Sequence, residues 1–104
     1  MVNYETFKQI ALSFPETNEQ AHFEKPSFRF RKKIFATYDL KKNLACLKLN
    51  EIDQSVFSAF DPTVIFPVPN KWGKQGWTFI NLDGVREDIF TDALTTAYQN
   101  VAKK

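Results

Sequence analysis

Few residues in this sequence are of a type that carries covalent chemistry. His22 is the only histidine and Cys46 the only cysteine. A catalytic histidine needs a nucleophile or a carboxylate within hydrogen-bond reach. No Gly-x-Ser-x-Gly and no cysteine-centred signature accompanies His22, so it reads as a structural or surface residue. Cys46 stands in the apolar run Leu44–Leu49 and reads as a small packed side chain. A structural zinc ion takes four nitrogen or sulfur ligands, which one His and one Cys do not supply. Asp83, Glu87 and Asp88 read as charges at a helix start. The sequence therefore predicts no catalytic residue, no metal and no cofactor, and a protein that is not an enzyme.

The binding chemistry lies in the cations. Between positions 25 and 48 stand Lys25, Arg29, Arg31, Lys32, Lys33, Lys41, Lys42 and Lys48, opposed by Asp39 alone. That window carries +7, and the rest of the chain −5, within a net charge of +2. Such asymmetry draws phosphate or acidic partners, although solvation of exposed strands is the usual role of surface Lys and Arg. A second unusual stretch is Trp72-Gly73-Lys74-Gln75-Gly76-Trp77, preceded by Lys71. It fits two readings: a loop that seals the core with Trp77, its glycines at positive φ, or a basic aromatic tip that stacks on a base or sugar. Its glycine spacing is not that of a phosphate-cradling loop.

These side chains need elements to hold them. Tyr4, Phe7, Ile10, Ala11 and Phe14 recur at helical spacing, with Asn3 as N-cap and Pro15 as the stop. Residues 16–25 read as a polar loop with a short extended piece around Ala21-His22-Phe23. Ser27-Phe28-Arg29-Phe30-Arg31 alternates as a strand does, apolar on one face and basic on the other. Lys32-Lys33 reads as a tight turn, Ile34–Tyr38 as the return strand, 39–43 as the next turn and Leu44–Leu49 as a third strand. Asn50 caps a helix over Glu51–Phe60 whose shared face is Ile52, Val56 and Phe60. Val64–Phe66 reads as an edge strand, since Pro67 and Pro69 lack a donor. Trp77–Leu82 is the last strand. Asp83 caps a final helix over Val85–Ala102, whose apolar face is Val85, Ile89, Leu94, Ala97 and Val101 and whose dipole Lys103 and Lys104 complement. Antiparallel strands with helices gathered on one side make an α+β two-layer sandwich, α-β(3)-α-β(2)-α. The opposite sheet face is expected to hold Arg29, Arg31 and Lys48.

The bulk numbers agree with one domain over residues 1–104. The chain has 104 residues, 43% hydrophobic and 25% charged. Eleven Phe, three Tyr and two Trp exclude overall disorder. No run reaches the roughly 18 apolar residues of a membrane span, and the first residues do not read as a signal peptide. A cytoplasmic location without membrane contact is the expectation.

Taken together, His22-Phe23-x-Lys25-Pro26-x-Phe28-Arg29, Lys33-Ile34-Phe35-Ala36, Leu47-Lys48-Leu49, Pro67-Val68-Pro69 and Gly73-Lys74-x-Gly76-Trp77 resemble the MmcQ/YjbR family in order and spacing over nearly the whole chain. The resemblance implies the same α+β order, akin to a secretion-chaperone-like architecture, and DNA binding through a double wing. Relatives often carry a glycine in the first hairpin turn, where this chain has Arg31-Lys32-Lys33. Two readings follow. In one, Arg29, Arg31, Lys32, Lys33, Lys41 and Lys42 contact DNA phosphates, with Lys48, Lys71, Trp72 and Lys74 extending the patch. In the other, apolar area around Phe35 and Tyr38 on the open sheet face binds a protein, a peptide or a second copy.

Overall fold

The computed structural model describes residues 2–102. Helix α1 (Tyr4–Ser13) starts where Asn3 accepts the Thr6 amide at 2.8 Å and stops before Pro15. Its apolar stripe buries Phe7 and Ala11 completely. Phe7 meets Phe28 and Phe90 at ring distances of 5.0 and 5.2 Å. A side chain of this size, fully buried, contributes about 1.5–3 kcal/mol.

Six antiparallel strands follow: β1 (Thr17–His22), β2 (Lys25–Phe30), β3 (Lys33–Asp39), β4 (Leu44–Lys48), β5 (Ile65–Pro67) and β6 (Trp77–Asn81). Their spatial order is β1-β2-β3-β4-β6-β5. Helices α1, α2 (Glu51–Ser58) and α4 (Glu87–Ala102) pack on one face, and α3 (Lys71–Lys74) leads into β6. The α+β two-layer architecture expected from the sequence is the one observed, with one more strand and one more short helix.

The added strand β1 occupies what reads as a polar loop. It lacks the apolar alternation that marks a half-buried strand, yet it pairs with β2 from Thr17↔Phe30 to His22↔Lys25. Its inward polar groups are satisfied by α1. The Thr17 hydroxyl donates to the Ala11 and Phe14 carbonyls, and Glu19 accepts the Tyr4 hydroxyl and pairs with Lys8. Edge pairing plus these bonds replaces hydrophobic burial.

Four further expectations are corrected. The β2–β3 turn is Arg31-Lys32, and Lys33 is the first residue of β3. A register shift after Phe28 places both Phe35 and Ala36 in the core. Phe35 and Tyr38 are 0% and 5% exposed, so the apolar patch expected around them is absent from the open face. Helix α2 is capped by Asn50 as expected but ends at Ser58, and Ile52 and Val56 on it and Phe60 just beyond it face solvent, at 75%, 54% and 60% exposure. It docks instead through Phe57 and through Gln54, whose amide donates to the Gly73 and Trp77 carbonyls and to the Thr78 hydroxyl. Helix α4 begins at Glu87, so Asp83 does not cap it; Asp83 accepts a hydrogen bond from Asn43 at 2.9 Å. The α4 core face includes Phe90 and Ala93, and Lys103 and Lys104 lie outside the described residues.

Candidate functional site

Strand register divides the predicted cations between the two ends of the sheet. Strands β2 and β3 meet at the Arg31-Lys32 turn, and β3 and β4 at the turn that carries Lys41 and Lys42. The seven residues of β3 separate the turns, about 20 Å at the rise of a strand. The antiparallel register puts Lys48 at the Lys33 end and Trp77 opposite Lys48. Helix α3 feeds directly into Trp77, so Lys71, Trp72 and Lys74 join this end as well. One end of the sheet thus collects Arg31, Lys32, Lys33, Lys48, Lys71 and Lys74 from three stretches of sequence. Lys41 and Lys42 stand at the other end.

Not all of these cations are free. Arg31 sits at φ 58, in the left-handed region a glycine would fill without strain. It is held there by its amide bond to the Glu16 carbonyl at 3.2 Å, by two guanidinium bonds to the Glu16 carboxylate at 3.3 Å, and by the Phe30 ring at 5.0 Å. Lys48 is half-buried, and its ammonium donates to the Gln75 and Leu49 carbonyls while lying 6.0 Å from the Trp77 ring centre. Burial lowers its pKa. Lys48 therefore clamps the α3 segment to β4. Arg29 lies on the open face and donates to the Ser27 hydroxyl at 3.3 Å. Lys32, Lys33, Lys71 and Lys74 are exposed, and no described carboxylate stands within 4.0 Å of them. Trp72, between Lys71 and Lys74 in the short helix α3, is 49% exposed.

The Trp72–Trp77 stretch divides between its two readings. Asn70 accepts the Trp72 amide at 2.8 Å and starts the short helix. Gly76 takes φ +103 and closes on β4, where Leu49 donates to its carbonyl at 3.0 Å. Trp77 is half-buried at the base and Trp72 projects.

The far end of the sheet holds a feature the sequence reading missed. A cleft of about 720 Å³ opens between the β1–β2 and β3–β4 turns. Its lining includes Tyr4, Tyr38, Phe23, Pro26 and Leu40. Asp39 organises one wall: it accepts the Lys41 and Lys42 amides and pairs with Lys25 at 3.3 Å. Burial alone would raise the Asp39 pKa, but these bonds outweigh it and hold the carboxyl below the usual range. The Tyr4 phenol is raised by burial and by its bond to Glu19, and the Tyr38 phenol by burial and by Asp83 and Asp39. Both remain neutral donors. The signal for this cleft was the motif His22-Phe23-x-Lys25-Pro26, which periodicity placed in a loop.

Cys46 lies on the open face in an apolar row beside Thr37 and Phe79, and burial pushes its thiol up to about 11. It therefore stays protonated near neutral pH. His22 sits at the β1–β2 turn with its ring 4.6 Å from that of Phe23. Among the described residues, no group of three His, Cys, Asp or Glu is placed to hold a metal ion. No described helix is long and apolar enough to cross a membrane.

A search of curated proteins gave no match. The fold is similar to the crystal structure of Deinococcus radiodurans protein DR2400, which carries a DUF419 domain. The TM-score is 0.81 at 22% identity, over 96% of this chain and 78% of that one. The YjbR family model matches residues 12–100. That match takes in all six strands and helices α2, α3 and α4 up to residue 100, and on it the chain belongs to the YjbR family.

Proposed function

We propose that this protein is a cytoplasmic nucleic-acid-binding module that grips the phosphate backbone with one end of its sheet. The observation that carries this reading is that Lys32, Lys33, Lys71 and Lys74, exposed and without carboxylate partners, share one end of the sheet with the projecting Trp72. Exposed ammonium groups neutralise phosphates and release their counterions. An exposed indole beside them stacks on an unpaired base. In the double-wing picture, the Arg31-Lys32 turn is one wing and the α3 segment acts as the second. Lys41 and Lys42, about a strand length away, are not part of this grip. Phosphate contacts supply affinity without sequence preference.

The test is fluorescence anisotropy with labelled duplex and single-stranded DNA across a salt series. Binding should weaken with salt, and the fourfold variant K32A/K33A/K71A/K74A should flatten the log–log slope by roughly 3 to 4 on duplex. K41A/K42A should leave the slope unchanged. Absence of binding at low salt, or equal effects of the two variants, refutes the reading.

A second reading rests on α2. Ile52, Val56 and Phe60 form an exposed apolar stripe at one-turn spacing, the kind of surface that attracts a protein partner or a second copy. It replaces the Phe35–Tyr38 patch as the surface for any such association.

A further inference from the structure

We propose that the cleft between the β1–β2 and β3–β4 turns is a binding site for a small planar aromatic ligand bearing one anionic group. This goes beyond the phosphate grip, which lies at the opposite end of the sheet.

The floor is aromatic and chemically closed. The Tyr4 and Tyr38 rings stack at 4.7 Å with 27° between their planes. Both hydroxyls are turned to internal partners, Tyr4 to Glu19 at 2.5 Å and Tyr38 to Asn43 at 2.6 Å. What remains for an occupant is the half-buried Tyr4 ring, backed by the buried Tyr38, and this favours a flat apolar body.

The lips are apolar and stand in water. Phe23 is 86% exposed and Leu40 76% exposed, each at the tip of its own turn. Folding gains little from either side chain, and an occupant between them would desolvate both. The backbone under Phe23 is strained as well. Phe23 and Glu24 are the two central residues of a two-residue hairpin loop, at φ 51 and 67, and neither is glycine or asparagine. The hairpin needs this backbone, but a bulky residue in it costs energy that Asn-Gly would avoid. Strain of this kind concentrates at ligand sites.

The rim carries one free charge of each sign, which orients a charged ligand. Asp39 is consumed by Lys25 and two backbone amides. That leaves the Lys41 ammonium on one lip and the Glu24 carboxylate on the other, neither with a described ion pair. A ligand anion would therefore face Lys41, with its ring edge toward Glu24. A nucleotide phosphate and an aryl carboxylate share this chemistry.

The test is an amide-resolved NMR titration of the full chain with adenosine monophosphate and, separately, with indole-3-acetate. Saturable shifts of the Phe23, Glu24, Leu40 and Lys41 amides are expected with one or both, and which one responds identifies the anion. F23A/L40A alters exposed side chains only, and should weaken binding by about tenfold or more with unchanged melting temperature. K41A should weaken binding and E24Q should tighten it. K32A/K33A should have no effect, which separates this site from the phosphate grip. No saturable shift with either probe at millimolar concentration, shifts confined to the Lys33–Lys74 end, or full affinity in F23A/L40A would each overturn the proposal.

Discussion

Replacing Phe23 by Asn and Glu24 by Gly together should stabilise the protein by about 1–2 kcal/mol. Both residues occupy the left-handed region, at φ 51 and 67. That region costs an ordinary L-residue about 1–2 kcal/mol. Asn relieves part of this cost and Gly all of it, and Asn-Gly is the preferred pair for a two-residue hairpin loop. Against the gain, Gly adds about 0.5–1 kcal/mol of freedom to the unfolded chain. Little packing is lost, because Phe23 is 86% exposed and Glu24 makes no described ion pair. Urea denaturation followed by circular dichroism reads the outcome. With a slope of about 2 kcal/mol per molar, the midpoint should rise by about 0.5–1 M at an unchanged slope. An unchanged or lower midpoint would show that the native turn is not strained, and would remove strain as support for the cleft. The stabilised variant should at the same time lose cleft binding, because one lip is gone.

Three further outcomes follow from the same geometry. Gly76→Ala should destabilise by more than about 3 kcal/mol: a Cβ there would lie 1.7 Å from the Leu49 carbonyl oxygen at φ +103, so near-native urea resistance would contradict the assigned backbone. Asp39→Asn should lower stability at neutral pH; because the folded carboxyl titrates below its unfolded value, the gap to wild type should be fully present above about pH 4 and close as pH falls through the lowered value. A gap constant down to pH 2 would sink that assignment. Ile52→Lys with Val56→Lys should change stability by no more than about 0.5 kcal/mol, since both side chains face solvent; sedimentation velocity at high concentration then tests whether the stripe self-associates, and a large loss of stability would mean that α2 packs through this face.

The elements legible in the sequence are those whose cause is local. Asn3 and Asn50 cap helices because a side-chain oxygen two or three residues ahead finds an unpaired amide. The alternation in Ser27–Arg31 and in Ala45–Leu49 marks strands because neighbouring residues point to opposite faces. Polar β1 escaped this logic, since its stability comes from the free edge of β2 and from Tyr4, Thr17 and Glu19, partners distant in sequence. The stripe on α2 misled for a related reason. Periodicity defines an apolar face but not what lies opposite, and Gln54 with Phe57 won the contact with the α3 segment, Thr78 and the core.

Charge behaved in the same way. The sequence by itself determined that positions 25–48 hold eight cations and one acid, and that Trp72 has lysines for neighbours. Only the tertiary structure decided which of them stand together. Antiparallel pairing sends successive turns to opposite ends of a sheet, so Lys33 joins Lys48, Lys71 and Lys74 across sequence gaps while Lys41, eight residues from Lys33, ends up a strand length away. The same folding back brings Tyr4, Phe23 and Leu40 around one cleft. Local sequence specifies turn and strand, but the neighbour across a sheet is set by register, which depends on the whole chain at once.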